Sequence, residues 1–340
     1  TSFETCNLIV NAGSTLTVAN TYYVEVENNV VVKGNLNVQS QGSFIQNDNA
    51  GTFTHSGTGT SQVTKLTAPL ATLYTYTYWS SPVKDALIGT ALFTTNPNRR
   101  YYFEASNFLD EHTDETTNGT PDDIDDNGDD WQLAVATNIM EVGRGYASTH
   151  TNIGFVSGNS YGYIFPGEFN TGTILEPLSN NPANTANHWN LVGNPYPSAI
   201  NVNDPVNGLF AINAGIIKPE IYMWSQYQAP LAENPGNQNL NFNQDDYVTI
   251  NNTGPVGNGS DMDGDGDVDA FDVPEEYIPS GQSFFVSSLA ANDLTFTNAM
   301  RISGGNSNTQ FFEPNNSAQD KDDYSSYTLP ERLWLNLISD

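Results

Sequence analysis

The chain is poor in cysteine, in basic residues and in long apolar runs. One of its 340 residues is cysteine, Cys6, so there is neither an internal disulfide nor a thiolate zinc site. Lysine and arginine number 10 against 39 acids, a formal charge of −29. That balance excludes a general binder of nucleic-acid phosphates, which needs clustered Lys and Arg. No apolar run approaches the ~18 residues of a membrane span, so membrane insertion by a helix is not expected. Charged residues make up only 14% of the chain, against ~25% in ordinary domains. Histidine is scarce too: His55, His112, His150 and His188 form no H-E-x-x-H or other paired metal motif. His188, beside Trp189, reads as a packed or surface residue, and Cys6 as a buried or merely unpaired one.

Aromatic residues are present in strength. The 17 Tyr, 17 Phe and 5 Trp can build a core, which argues against disorder. The length suits about two domains of roughly 150 residues. Helical periodicity is almost absent, whereas alternation at period two recurs throughout, with Gly, Asn, Thr, Ser and Pro between the runs. The expected class is all-β.

Residues 1–68 hold short apolar runs at 8–10, 16–18, 23–26, 30–32, 36–38 and 44–45, punctuated by glycines. Strands this short suit a β-solenoid-like segment, in which each turn stacks its inward Leu or Val on the next. The edge of a β-sandwich is the alternative. Residues 69–332 read as a β-sandwich, jelly-roll-like, with long loops. Tyr74, Tyr76 and Tyr78 alternate in its first strand, and further strands are expected at 131–135, 145–148, 161–165, 221–224, 247–250, 283–286 and 294–297. A short helix fits within 206–213. Residues 333–340 read as the start of a following strand or domain, and the first residues lack the basic start and apolar stretch of a signal peptide. Both ends are expected to be cuts in a larger secreted polypeptide.

The acids are unevenly placed: residues 110–130 hold ten of them and residues 261–276 eight. Such clusters repel themselves unless a cation or solvent neutralises them. The sharper cluster matches a twelve-position calcium loop. Asp261, Asp263 and Asp265 take positions 1, 3 and 5, and Gly266 takes the turn at 6. Asp267 offers its carbonyl at 7, Asp269 sits at 9 and Asp272 at 12. Ca²⁺ is a hard ion that takes six to eight oxygens, so alternate carboxylates on one turn suit it. Position 12 is Asp rather than Glu and the flanks are not helical, so the loop looks like those of dockerins and related secreted repeats. In the second cluster Asp123, Asp125 and Asn127 take positions 1, 3 and 5, Gly128 takes 6 and Asp129 offers a carbonyl at 7. Position 12 is Ala134, so a closing carboxylate must come from elsewhere, Asp130 or Glu111. A solvated acidic turn is the plainer reading of either cluster.

Signals for catalysis are weak. Gly158-x-Ser160-x-Gly162 matches the nucleophile-elbow pattern, but Tyr161, Tyr163 and Phe165 alternate after it as in a strand, not a helix. Glu168, Glu220, Glu275 and Glu276 could serve glycoside hydrolysis, but nothing pairs them. Trp79, Trp131, Trp189, Trp224 and Tyr227 could stack on sugars, although Trp in a sheet is more often core. The chain is read as non-enzymatic.

Seven strings occur in order: YWSSPV (78–83), DDIDDNGDDW (122–131), NLVGNPYPSAI (190–200), IYMW (221–224), IPSGQSFFV (278–286), FTNAMR (296–301) and ERLWLNL (331–337). Together they resemble a region of large secreted proteins of Bacteroidetes, upstream of the C-terminal sorting domain of the type IX secretion system. The resemblance covers about residues 66–340. It implies export to the cell surface or medium and partners among the type IX secretion machinery or other surface proteins. It also implies an adhesin-like, gliding-associated or polysaccharide-handling role, and it carries no catalytic residues. The resulting expectation is a calcium-stabilised structural or adhesive module of an extracellular protein. A carbohydrate-binding module is the alternative.

Overall fold

The computed structural model describes residues 2–110, 125, 127–184, 187–226, 230–234, 242, 246–256, 275–303 and 307–308. Among these residues the regular structure is strand, apart from one-turn helices α1 (Ile88–Ala91) and α2 (Leu209–Ile212) and a 3-10 turn at Asn298–Met300. The fold is all-β.

The first strands are β1 (Phe3–Thr5), β2 (Leu8–Val10), β3 (Thr15–Val18), β4 (Tyr23–Val26), β5 (Val30–Val32), β6 (Asn35–Val38), β7 (Ser43–Gln46), β8 (Phe53–His55) and β9 (Thr60–Leu66). Every third strand pairs in parallel, giving sheets β1-β4-β7, β2-β5-β8 and β3-β6-β9. Residues one turn apart stand side by side: Val24 lies between Phe3 and Phe44, and Val38 between Val18 and Val63. Inward valines therefore stack on one another and are almost wholly buried. Turns run so close that a Cβ on Gly59 would lie 1.9 Å from the Val32 carbonyl oxygen, so only glycine fits there.

The remaining strands are β10 (Tyr76–Trp79), β11 (Thr95–Phe103), β12 (Trp131–Leu133), β13 (Tyr146–His150), β14 (Gly162–Pro166), β15 (Ile174–Pro177), β16 (Trp189–Gly193), β17 (Ala199–Asn201), β18 (Ile217–Trp224), β19 (Tyr247–Asn251), β20 (Gly254–Val256), β21 (Tyr277–Ile278), β22 (Ser283–Ser288), β23 (Asp293–Phe296) and β24 (Arg301–Ile302). They form an antiparallel sheet in the order β10-β13-β11-β12 and another in the order β16-β22-β18-β19-β20. Strand alternation gives each sheet two different faces. Tyr78 points into an aromatic layer with Phe103, Trp131, Trp189, Trp224 and Phe285, whereas Trp79, one residue on, packs with the coil. Phe285 belongs to the same aromatic layer, while Phe284 and Val286 join Ile221, Met223 and Ile250 on the opposite face.

The strand β14 does not stay with the sandwich. It pairs antiparallel with β9, placing Phe165 opposite Val63, and so adds a strand to the coil across the 68/69 division. Phe44 donates its N–H to the Pro197 carbonyl at 2.9 Å, and buried Arg301 reaches back to the carbonyls of Phe44 and Gln46. One apolar cluster holds coil valines together with Trp79, Tyr163, Phe165 and Phe169. The two regions thus share a core.

Candidate functional site

The second acidic cluster lies where β11 ends and β12 begins. The Glu104 N–H donates to the Asp130 carbonyl at 2.6 Å, closing the chain on itself. The stretch after β11 then turns back through Phe108. Its carbonyl accepts N–H groups of Asn181 and Asn184, and Asn184 Oδ1 accepts the Asp110 N–H at 2.9 Å. Phe103, Phe108 and Trp131 bury their rings in the aromatic layer. Asp110 and Asp130, close to them in the chain, are buried as well.

Among the described residues, four carboxylates of this neighbourhood are buried. Asp110 and Asp246 are 0% exposed, and Asp125 and Asp130 are 1% exposed. Asp125 Oδ1 accepts the Leu109 N–H and its Oδ2 the Asp129 N–H, each at 2.9 Å. Burial pushes the Asp125 carboxyl up to about 6, against those backbone donors. Asp130 Oδ1 accepts the Trp131 N–H at 2.8 Å, but its Oδ2 is buried with no hydrogen-bond partner among the described residues. Burial raises the Asp130 carboxyl well above the usual range, and Asp125 and Asp129 raise it further rather than relieve it. On the core side stand the Tyr78 and Tyr247 hydroxyls, 3.0 Å apart. Burial raises both phenols, and Asp130 and Asp246 add to both. An interior carboxylate oxygen without a donor costs about 1–3 kcal/mol or more.

The residues expected from sequence fall unevenly on this geometry. Gly128 makes the sharp turn at φ +70°, at the position assigned to it. Asp125 is buried at the foot of the loop, whereas the side chains of Asn127 and Asp129 are exposed. The Asp129 carbonyl, assigned to the ion, accepts N–H groups from Asn107 at 3.0 Å and Gln132 at 2.7 Å. Asn127 Oδ1 accepts the Asp129 N–H. Asp123 lies outside the described residues, as does the whole of the other loop with Asp261, Asp263, Asp265, Asp267, Asp269 and Asp272. Asp130, suggested as a closing carboxylate, is inside the cluster, and the sequence reading missed Asp110 and Asp246. The one signal for them was position: Asp110 directly follows Phe108 and Leu109, and Asp246 directly precedes the strand that opens at Tyr247. Among the described residues, no three His, Cys, Asp or Glu side chains gather closely enough to hold a metal ion by themselves.

Other candidates disperse. Ser160 is exposed in a loop and Gly162 opens a strand, so the residues of the elbow pattern do not lead into a helix. Glu168 accepts the His55 N–H and pairs with Lys84, while Glu276 accepts from Asn203. Trp79, Trp131, Trp189 and Trp224 are at most 4% exposed and form no sugar-stacking platform. Tyr227 lies outside the described residues. Cys6 is an exposed thiol. No helix among the described residues is long and apolar enough to cross a membrane.

Comparison with curated proteins and with solved structures returns no match. A family model described as a domain of unknown function, DUF8693, matches residues 2–340, and the chain belongs to that family.

Proposed function

We propose that this chain is a calcium-stabilised, non-enzymatic structural and adhesive module of an extracellular or cell-surface protein. The observation that carries the reading is the Asp130 carboxylate oxygen, buried without a donor among the described residues, beside the buried Asp125 at the foot of an acid-rich loop. A hard divalent cation supplies what that oxygen lacks, and Ca²⁺ accepts the irregular, oxygen-only geometry a loop can offer. Asp125 and Asp130 contribute ligands, and further oxygens come from the rest of residues 110–130. The loop at 261–272 forms a second site of the same chemistry. Bound calcium ties the loops to the sheets and stabilises only the folded chain. The surface so held presents itself to other surface proteins. Its acid excess and its resemblance to regions preceding type IX sorting domains support an extracellular setting and export by that route.

Thermal melts at pH 7.5 in 2 mM calcium and in chelator test the reading. Calcium is expected to raise stability by about 2 kcal/mol for an affinity near 10⁻⁴ M. Asp130→Asn removes the share contributed by the first site, and Asp263→Asn with Asp265→Asn removes the share of the second. Superimposable melts with and without calcium sink the proposal.

A further inference from the structure

We propose that Asn127-Gly128 is a self-modifying site, at which the Gly128 amide nitrogen attacks the Asn127 side-chain carbon and the asparagine becomes aspartate or isoaspartate. This does not rest on the calcium reading. Asn-Gly is the pair in which such a ring closes with least hindrance, because glycine brings no Cβ against the incoming side chain. Four such pairs occur, at 118–119, 127–128, 207–208 and 258–259. The first and last lie outside the described residues, so two can be compared by their surroundings.

At Asn127-Gly128 both reacting groups are attended. The nucleophile is the Gly128 nitrogen, and its N–H donates to the Asp125 carboxylate. That carboxylate is buried and held still, its Oδ1 accepting the Leu109 N–H and its Oδ2 the Asp129 N–H, each at 2.9 Å. It is therefore placed to take the proton that the nitrogen loses. The electrophile is the Asn127 amide carbon. Its Oδ1 accepts the Asp129 N–H at 3.1 Å, a donor aimed at the oxygen on which charge builds as the nitrogen adds. Gly128 at φ +70° bends the backbone so that Asp129 meets Asn127 in this way. The Asn127 side chain is exposed, so ammonia can leave and water can enter. The Asn207 side chain is exposed as well, but there the Gly208 N–H donates to the backbone carbonyl of Asp204 at 2.9 Å, a neutral acceptor that takes no proton.

The step balances without an oxidant or reductant. The Gly128 N–H bond breaks and an N–Cγ bond forms. The side-chain nitrogen then leaves as ammonia, carrying the proton that Asp125 relays, and a five-membered succinimide remains. One water molecule opens it at either carbonyl. Opening at one restores the backbone with aspartate at 127; opening at the other routes the backbone through the side chain as isoaspartate. Either product adds one negative charge to the loop.

The test follows the whole chain at pH 7.5 and 37 °C in chelator, so that the outcome does not depend on whether calcium binds. Peptide mapping by mass spectrometry reads the exchange of NH₂ for OH at each Asn-Gly pair, and the same chain unfolded in guanidinium chloride is the reference. Asn127 is expected to convert about tenfold faster folded than unfolded, while Asn207 converts more slowly folded than unfolded. Asp125→Asn keeps the size of the side chain and removes the base, and is expected to bring Asn127 down to the unfolded rate or below. Because loosening the loop could raise the rate only as far as the unfolded one, a variant that stays as fast as the unaltered folded chain overturns the role of Asp125. Conversion of Asn127 no faster in the folded chain than in the unfolded one, or equal folded rates at Asn127 and Asn207, overturns the proposal whatever the variant does.

Discussion

Replacing Lys65 by methionine is expected to stabilise the protein at and below neutral pH, by an amount that shrinks as the pH rises. Lys65 lies on β9 at 1% exposure, its Nζ donating to the Ser40 carbonyl at 2.6 Å. Burial lowers its pKa to about 7 from 10.5. Between those values the unfolded chain binds a proton that the folded chain does not, so wild-type stability gains from each increment of pH in that window. The slope is about 1.4 kcal/mol per unit, or roughly 2–3 kcal/mol between pH 7 and 9. Methionine has similar length and no charge to desolvate. Urea melts of both proteins at pH 6, 7, 8 and 9 measure the effect. A difference between them that stays constant across that range would show that Lys65 does not titrate there.

Arg301→Ala is expected to cost about 3–5 kcal/mol. The guanidinium is buried, and burial lowers its pKa to about 10, so it remains charged at neutral pH. It donates to the carbonyls of Phe44 and Gln46 in the coil and to Ser198 and Asn298 in the sandwich, and it stacks on Tyr196 at 4.8 Å. Removing it leaves interior acceptors without donors and opens a cavity where the two regions meet. Arg301→Lys keeps the charge but loses the planar fork, and should fall between. Lys84→Ala, which breaks a solvent-exposed pair with Glu168, should change stability by less than about 1 kcal/mol. Comparable losses for Arg301→Ala and Lys84→Ala in denaturant melts would remove the staple from the account.

Alternation made much of the sandwich legible in the sequence. Tyr76 and Tyr78 share a face, Trp79 takes the other, and the expected strands at 131–135, 221–224, 247–250 and 283–286 each overlap an observed one. The helix expected within 206–213 shrinks to Leu209–Ile212. The long strand Thr95–Phe103 was not legible, because Pro97 and the pair Arg99-Arg100 interrupt its pattern; a register shift marks the same stretch. The acidic loop could be found by spacing, but which acids would be buried could not. Asp130 goes inside because Trp131 beside it does, and Asp246 because Tyr247 does, and both are consequences of sheet packing. The pairing of Arg144 with Glu104 was invisible for a related reason: the two stretches meet only once the sheets have formed.

The pairing of β14 with β9 also orders events in time. Gln62 waits for Pro166 and Leu66 for Gly162, roughly a hundred residues further along the chain. Until that span has been synthesised and has looped back, the last turn of the coil keeps a bare flank of backbone donors and acceptors. Such a flank invites pairing with neighbouring molecules. Closing so large a loop pays its entropy before any contact returns it, so assembly of the N-terminal part is set by sequence that arrives late.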